Sequence, residues 1–226
     1  MKLAPILTAG AWLTCASLYA DPAAAQSTAP APAATAASDE NPSDIVQAAA
    51  QGILKDLEVN REAYRKDPSK IGGLVDKYLL PHFDTEYAAR LVLAQYWRTA
   101  TPDQKKRFVD AFYHSLLTNY GTALTDFTSD KLKVYPSKVD PGADHATVRT
   151  EIKRDSGDRI AVNYSLHKTP EGWKAYDVNI DGISYVKSYR EDFGSQIQQQ
   201  GIDAVITRLQ KGEKPGDIRK TTGKAS

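Results

Sequence analysis

Cysteine is almost missing from this chain: the single one, Cys15, lies near the start. The folded part therefore has no disulfide to brace it and must rely on a packed core. Charge of either sign is not in excess. Lys and Arg number 29 against 28 Asp and Glu, a formal net charge of +1. Nucleic-acid partners usually require a strong clustered positive charge, so that class is set aside. Long apolar runs are missing too. Leu3 to Leu18 is the best of them, interrupted by Pro5, Thr8, Gly10 and Thr14, and it falls short of the roughly 20 residues that span a bilayer.

That first stretch has another reading. Lys2 precedes the apolar run, and small-residue cleavage options follow at Leu18-Tyr19-Ala20 and Ala23-Ala24-Ala25. Residues 1–25 are expected to be a secretory signal peptide. Acylation of Cys15 would need a small residue before it, and Trp12-Leu13-Thr14 does not supply one. Residues 26–40 are rich in Ala, Pro, Ser and Thr with no aromatic, and read as a flexible linker. A folded domain is expected over 41–210, with a polar, flexible tail over 211–226. The chain length suits one domain, at most two.

The chemistry of catalysis is also scarce. His82, His114, His145 and His167 fall in different predicted elements, and none pairs at the i, i+4 spacing of a helical zinc site. Ser184-Tyr185-Val186-Lys187 has the Ser-x-x-Lys form of penicillin-recognising enzymes, but the companion Ser-Asp-Asn and Lys-Thr-Gly patterns are absent. Asp177 and Asp181 could be read as paired carboxylates. Their positions, on the polar side of a strand and in an Asp-Gly turn, favour structural roles. No phosphate-cradling glycine loop and no Gly-x-Ser-x-Gly elbow is found. Metal and catalytic residues are therefore expected to be none.

What the sequence does have is periodicity. Asn41-Pro42 is a helix-start signal, followed by Ile45, Val46, Ala49, Ile53, Leu54 and Leu57 at helical spacing. A shorter helix carries Ile71, Leu74, Val75, Tyr78 and Leu79, and a third is expected from Asp84 to Arg98. Thr101-Pro102-Asp103-Gln104 has the capping-box form. From there Phe108, Phe112, Leu116, Tyr120 and Leu124 recur every four residues, predicting a helix of about six turns with a wide apolar face.

Past Asp130 the period falls to two. Leu132 and Val134, then Val148 and Ile152, then Ile160, Val162, Tyr164 and Leu166, then Tyr176, Val178 and Ile180 mark four strands. Asp155-Ser156-Gly157-Asp158 and Thr169-Pro170-Glu171-Gly172 connect them as hairpins. Two more helices follow, carrying Val186, Tyr189, Phe193 and Ile197, then Val205, Ile206 and Leu209. Helices, then strands, then helices predict an α+β fold. Its helices pack on one face of a curved antiparallel sheet of about four strands.

Several segments taken in order resemble one family. They are Pro81-His82-Phe83-Asp84 leading into Leu91-Val92-Leu93-Ala94-Gln95-Tyr96-Trp97-Arg98, and Thr101-Pro102-Asp103-Gln104 with Phe108 and the run from Phe112 to Tyr120. The most specific is Trp173-Lys174-Ala175-Tyr176-Asp177-Val178-Asn179-Ile180-Asp181-Gly182-Ile183-Ser184, followed by Tyr189-Arg190 and Phe193. Over roughly Asn41 to Leu209 the chain resembles the MlaC family of periplasmic phospholipid-binding proteins, also known from toluene tolerance. Two positions depart from the pattern: Ala94 stands where the family typically has glycine, and Glu191-Asp192 adds acid.

The resemblance implies a periplasmic phospholipid carrier that helps maintain outer-membrane lipid asymmetry, with phospholipid as cargo and no cofactor. It implies two partners: an outer-membrane lipoprotein-porin complex and an inner-membrane ABC transporter with a periplasmic lipid-binding ring. It also implies that helices and sheet enclose an apolar lipid cavity. The sheet residues Val148, Ile152, Ile160, Val162, Tyr164, Leu166, Tyr176 and Val178 are the expected floor, and Phe108, Phe112, Leu116 and Tyr120 the expected wall. Arg90, Arg98 and Arg190 are head-group candidates because guanidinium forks suit phosphate; each reads equally well as a surface ion pair. Two alternatives stay open on the same scaffold: a small periplasmic hydrolase or isomerase, which would need titratable groups in the cavity, and a ligand-free adaptor with a filled core.

Overall fold

A computed structural model describes residues 40–213 apart from Phe127, Ser129 and Asp155. The expected signal peptide, nearly all of the linker and most of the tail lie outside the described residues. Among those described, no helix is long and apolar enough to cross a membrane.

The first helix, α1 (Pro42–Lys66), starts where an asparagine can satisfy the orphan amides of its first turn: the Asn41 side chain accepts from the Ser43 amide. After a 3₁₀ turn at Pro68–Lys70 come α2 (Ile71–Tyr78), a second 3₁₀ turn at Leu80–His82 and α3 (Thr85–Leu93). The expected single helix from Asp84 to Arg98 is broken. Ala94 has φ 48° and ψ −115°, and the short α4 (Gln95–Thr99) begins beyond it. An L-residue there is strained by roughly 1–3 kcal/mol, whereas glycine is not. Ala94→Gly is therefore expected to raise stability by about 1 kcal/mol, a gain of about 2–4 °C in Tm by thermal denaturation.

The capping box at Thr101 and Gln104 is fully formed and opens α5 (Pro102–Tyr120). The expected six-turn helix is shorter than its apolar stripe: at Gly121 it tightens into a 3₁₀ segment, Gly121–Asp126. That change of pitch re-aims the stripe. Phe108 and Phe112 point into a helical core, Tyr120 is exposed, and Leu124 turns toward a different region of the molecule.

The sheet is an antiparallel meander of β1 (Leu132–Val134), β2 (His145–Lys153), β3 (Arg159–Thr169), β4 (Gly172–Ile180) and β5 (Ile183–Ser184). There are five strands where the alternation showed about four. The fifth is only two residues long, too short for a period to register. It exists because Asp181 and Gly182 both take positive φ, 50° and 85°, the type I′ geometry that Asp-Gly adopts in tight hairpins. A bulge between Ser165 and Leu166 shifts the register of β3 on β4, which increases local twist. Beside Ala175, Phe83 forms a parallel bridge to β4, and the Asp84 amide donates to the Ala175 carbonyl at 2.8 Å.

The chain then returns to helix in α6 (Tyr185–Gln200) and α7 (Ile202–Gln210). Two packed centres result. One is a helical bundle of α3, α5, α6 and α7 around Phe108, Phe112, Tyr189 and Phe193. Its rings meet edge to face, Phe112 on Tyr189 at 5.2 Å and Phe108 on Phe193 at 5.9 Å, the arrangement that ring quadrupoles favour. The other lies between α1 and the sheet, with Ile45, Val148, Leu166, Trp173 and Ala175 buried together.

Candidate functional site

The second centre is not filled. A cavity opens between α1 and the sheet, with α1 presenting Ile45, Val46, Ala49, Ala50, Ile53 and Leu54. These positions form one stripe because residues four apart on a helix share a face. Two of the six are alanines, and their short side chains leave a gap that larger residues would close. From the sheet come Leu132 and Val134 of β1, Thr150 and Ile152 of β2, Tyr164 and Leu166 of β3, and Ala175 of β4. Leu79, His82, Phe83 and Leu124 complete the lining.

The enclosed part of this space is about 120 Å³, roughly ten times what one water needs. Counted out through its open mouth, the empty space is about 820 Å³. Buried Ile45, Ala49, Ile53, Leu166 and Ala175 stand behind partly exposed Val46, Ala50, Leu54, Leu132 and Val134. Leu79, His82, Phe83, Leu124, Ile152 and Tyr164 of the lining are partly exposed as well.

Helix α1 is tied at both ends and along its length, where Asp56 accepts from the Tyr78 hydroxyl of α2 at 3.4 Å. At its start the Asn41 amide donates to the Ser137 carbonyl at 3.1 Å, and the Ser137 hydroxyl donates back to Asn41 Oδ1 at 2.7 Å. Toward its far end the Arg61 guanidinium donates to the Thr125 carbonyl, and Arg65 lies 3.7 Å from Asp126. Gly52, on the same helix, lets the Tyr78 ring of α2 pack directly on the backbone; a Cβ there would come within 2.4 Å of that ring.

Polar groups in the lining are few. The Thr150 hydroxyl donates to the Val162 carbonyl at 2.6 Å, which removes it from the cavity's chemistry. Tyr164 and His82 are the others. No lining residue forms a nucleophile-base pair, and among the described residues no group of three His, Cys, Asp or Glu could hold a metal ion. The Ser-x-x-Lys segment is a helix cap. The Ser184 hydroxyl donates to Asp177 at 2.6 Å and accepts from the Lys187 amide at 3.1 Å, while Asp177 also accepts from the Val186 amide at 2.9 Å. Asp181 accepts from the Ala161 amide at 3.2 Å across the hairpin. His167 meets Asp84 at 3.0 Å and stacks on Tyr87. What this arrangement can do is shelter hydrocarbon from water.

The expected tail-binding residues are divided between the two centres. Ile152, Tyr164 and Leu166 line the cavity. Val148 is fully buried in the adjoining cluster, and Val162 is buried as well. Ile160 and Val178 are partly buried on the same strands outside the lining. Tyr176 packs edge to face on Tyr87 at 5.1 Å, against the bundle. Phe108 and Phe112 lie in the bundle core, Leu116 at its margin, and Tyr120 at the surface, where it accepts from the Tyr189 hydroxyl at 3.3 Å.

None of the three arginine candidates lines the cavity. Arg90 sits over the Tyr87 ring at 4.6 Å, Arg190 donates to the Leu91 carbonyl at 2.7 Å, and Arg98 is exposed. The wall opposite the sheet is α1, which sequence reasoning identified as a helix but did not assign to the cavity. Its signal was present: alanines 49 and 50 within a stripe of Ile, Val and Leu.

Residues 47–211 match the family model described as MlaC protein. The toluene tolerance protein ttg2D of Pseudomonas putida is 31% identical over 165 residues, 73% of this chain and 76% of that protein. The intermembrane phospholipid transport system binding protein MlaC of Haemophilus influenzae is 27% identical over 182 residues, 78% and 84% of the two chains. Among solved structures, a phospholipid-binding protein from Ralstonia solanacearum in complex with a phospholipid superposes with a TM-score of 0.71 at 23% identity. The match covers 77% of this chain and 97% of that one.

Proposed function

Because this chain belongs to the MlaC family, we propose that it is a phospholipid carrier whose acyl chains lie between α1 and the sheet. The observation that carries the reading is the lining: residues from α1, four strands and two 3₁₀ turns converge on one space, and almost all of them are apolar. Each methylene kept from water is worth about 0.8 kcal/mol, so two chains of roughly 30 methylenes need on the order of 24 kcal/mol of shelter. A carrier answers that need with apolar surface and without catalytic groups, and we assign no enzymatic activity.

Space sets the mode of loading. At a water-like volume of about 30 Å³ per methylene, two chains need on the order of 900 Å³, more than the protein encloses, since the 820 Å³ of empty space includes open solvent beyond the mouth. On this reading loading widens the space between α1 and the sheet, while Asn41–Ser137 and Arg61–Thr125 hold the helix ends. The head group stays at the mouth. On this reading the protein works in the periplasm. It passes phospholipid between an outer-membrane lipoprotein-porin complex and an inner-membrane ABC transporter bearing a lipid-binding ring.

The test is to purify the protein from a Gram-negative host, extract it with organic solvent and quantify lipid by mass spectrometry. About one phospholipid per chain is the expected result. A lipid-free extract from folded protein exposed to membranes contradicts the proposal.

A further inference from the structure

Most tyrosine hydroxyls in this fold have found a partner. Tyr64 donates to Asp56 at 2.7 Å, Tyr96 to the Gly194 carbonyl at 3.3 Å, Tyr113 to Asp76 at 2.5 Å and Tyr189 to Tyr120. Tyr164 differs. It stands on β3, flanked by β2 on one side and β4 on the other, opposite Val148 and Val178, and it lines the cavity. Among the described residues its hydroxyl has no hydrogen-bond partner. The neighbours that share the lining are apolar, apart from His82 and a Thr150 hydroxyl already committed to the Val162 carbonyl.

Tyr164 is partly buried and its hydroxyl has no partner among the described residues, so a ligand that displaces water from the cavity leaves this donor unpaired, a cost that phenylalanine would avoid. The hydroxyl is an asset only when a ligand brings an acceptor to it. Burial pushes the Tyr164 phenol above its ordinary pKa, so the group remains a donor across the physiological range. Acyl tails carry no acceptor. The first acceptors behind them in a lipid that enters chains first are the ester carbonyls; the phosphate oxygens lie farther out, toward the mouth.

We propose that the Tyr164 hydroxyl donates a hydrogen bond to an acyl-ester carbonyl of the bound lipid. The contact fixes how deep the glycerol sits and selects ester-linked over ether-linked glycerolipids. This inference rests on the carrier reading and narrows its cargo. An ether oxygen at the same place is a poorer acceptor, and it leaves the phenol unsatisfied.

The experiment is a competition. The protein, stripped of lipid, is incubated with vesicles of equimolar dioleoyl phosphatidylglycerol and its di-O-oleyl ether analogue, then separated and quantified by mass spectrometry. Wild type is expected to take the ester lipid by roughly fivefold to tenfold, the worth of one hydrogen bond. Tyr164→Phe is expected to take the two equally. Equal uptake by wild type, or an ester preference that persists in Tyr164→Phe, overturns this inference and leaves the carrier reading standing. Uptake of neither lipid by wild type overturns both.

Discussion

Ala50→Trp, in the middle of α1, is expected to reduce co-purified phospholipid from about one per chain to less than about a tenth of that. Ala50 is one of two alanines whose short side chains leave the gap between helix and sheet, and it is only partly buried. An indole there occupies the space between α1 and the sheet. Most of the added surface is apolar and meets an apolar wall, and at this partly exposed position the indole N–H can reach water, so the fold has no buried unpaired polar atom to accommodate. Ile152→Glu attacks the same space from the opposite side, placing a carboxylate where the lining is alkyl. Burying that charge against two acyl chains costs several kcal/mol, while in the empty protein it can reach water through the mouth. Both variants should keep the wild-type circular dichroism spectrum and lose the lipid. Lipid retained at wild-type stoichiometry by both would show that the chains lie elsewhere.

Phe108→Ala should give the opposite pattern. Phe108 is completely buried in the bundle, stacked on Phe112 at 5.6 Å and edge-on to Phe193 at 5.9 Å. Removing a ring from such a site costs about 3–5 kcal/mol, and a fall in Tm on the order of 10 °C follows for a domain of this size. The bundle and the cavity are separate packed centres, so the molecules that remain folded should carry lipid at the wild-type ratio. Thermal denaturation together with lipid quantification checks both halves. A small change in Tm with loss of lipid would instead assign Phe108 to the cavity wall.

The contrast between these variants marks what was legible in the sequence. Element identities were readable because each rests on local chemistry: the Thr101–Gln104 box, the Asp-Gly hairpin turn, the two-residue alternation from Val148 to Leu166. The break at Ala94 was not, since alanine inside an apolar helical run gives no local sign of a positive φ. Only the likeness to a family with glycine there pointed to that position.

Assigning the cavity wall required knowing which helix lies over the sheet, and that is a tertiary fact. The aromatic stripe of α5 was the stronger periodic signal, yet aromatics fill space and build solid cores. Alanines at 49 and 50 give a weaker signal and leave room. Leu124 belongs to the α5 stripe by spacing but to the cavity by geometry, because the 3₁₀ segment after Gly121 turns it away from Phe108. The arginines were chosen for their affinity for phosphate, which sequence shows, without the position of the mouth, which it does not.

The location of the chains can be seen directly. A crystal structure of the protein loaded with a phospholipid brominated midway along its acyl chains would place the bromines by anomalous scattering. Peaks beside Ala49, Thr150 and Leu166, under α1, are the predicted result. Peaks within the Phe108–Phe193 bundle, or on the outer surface with the space beneath α1 empty, would contradict it.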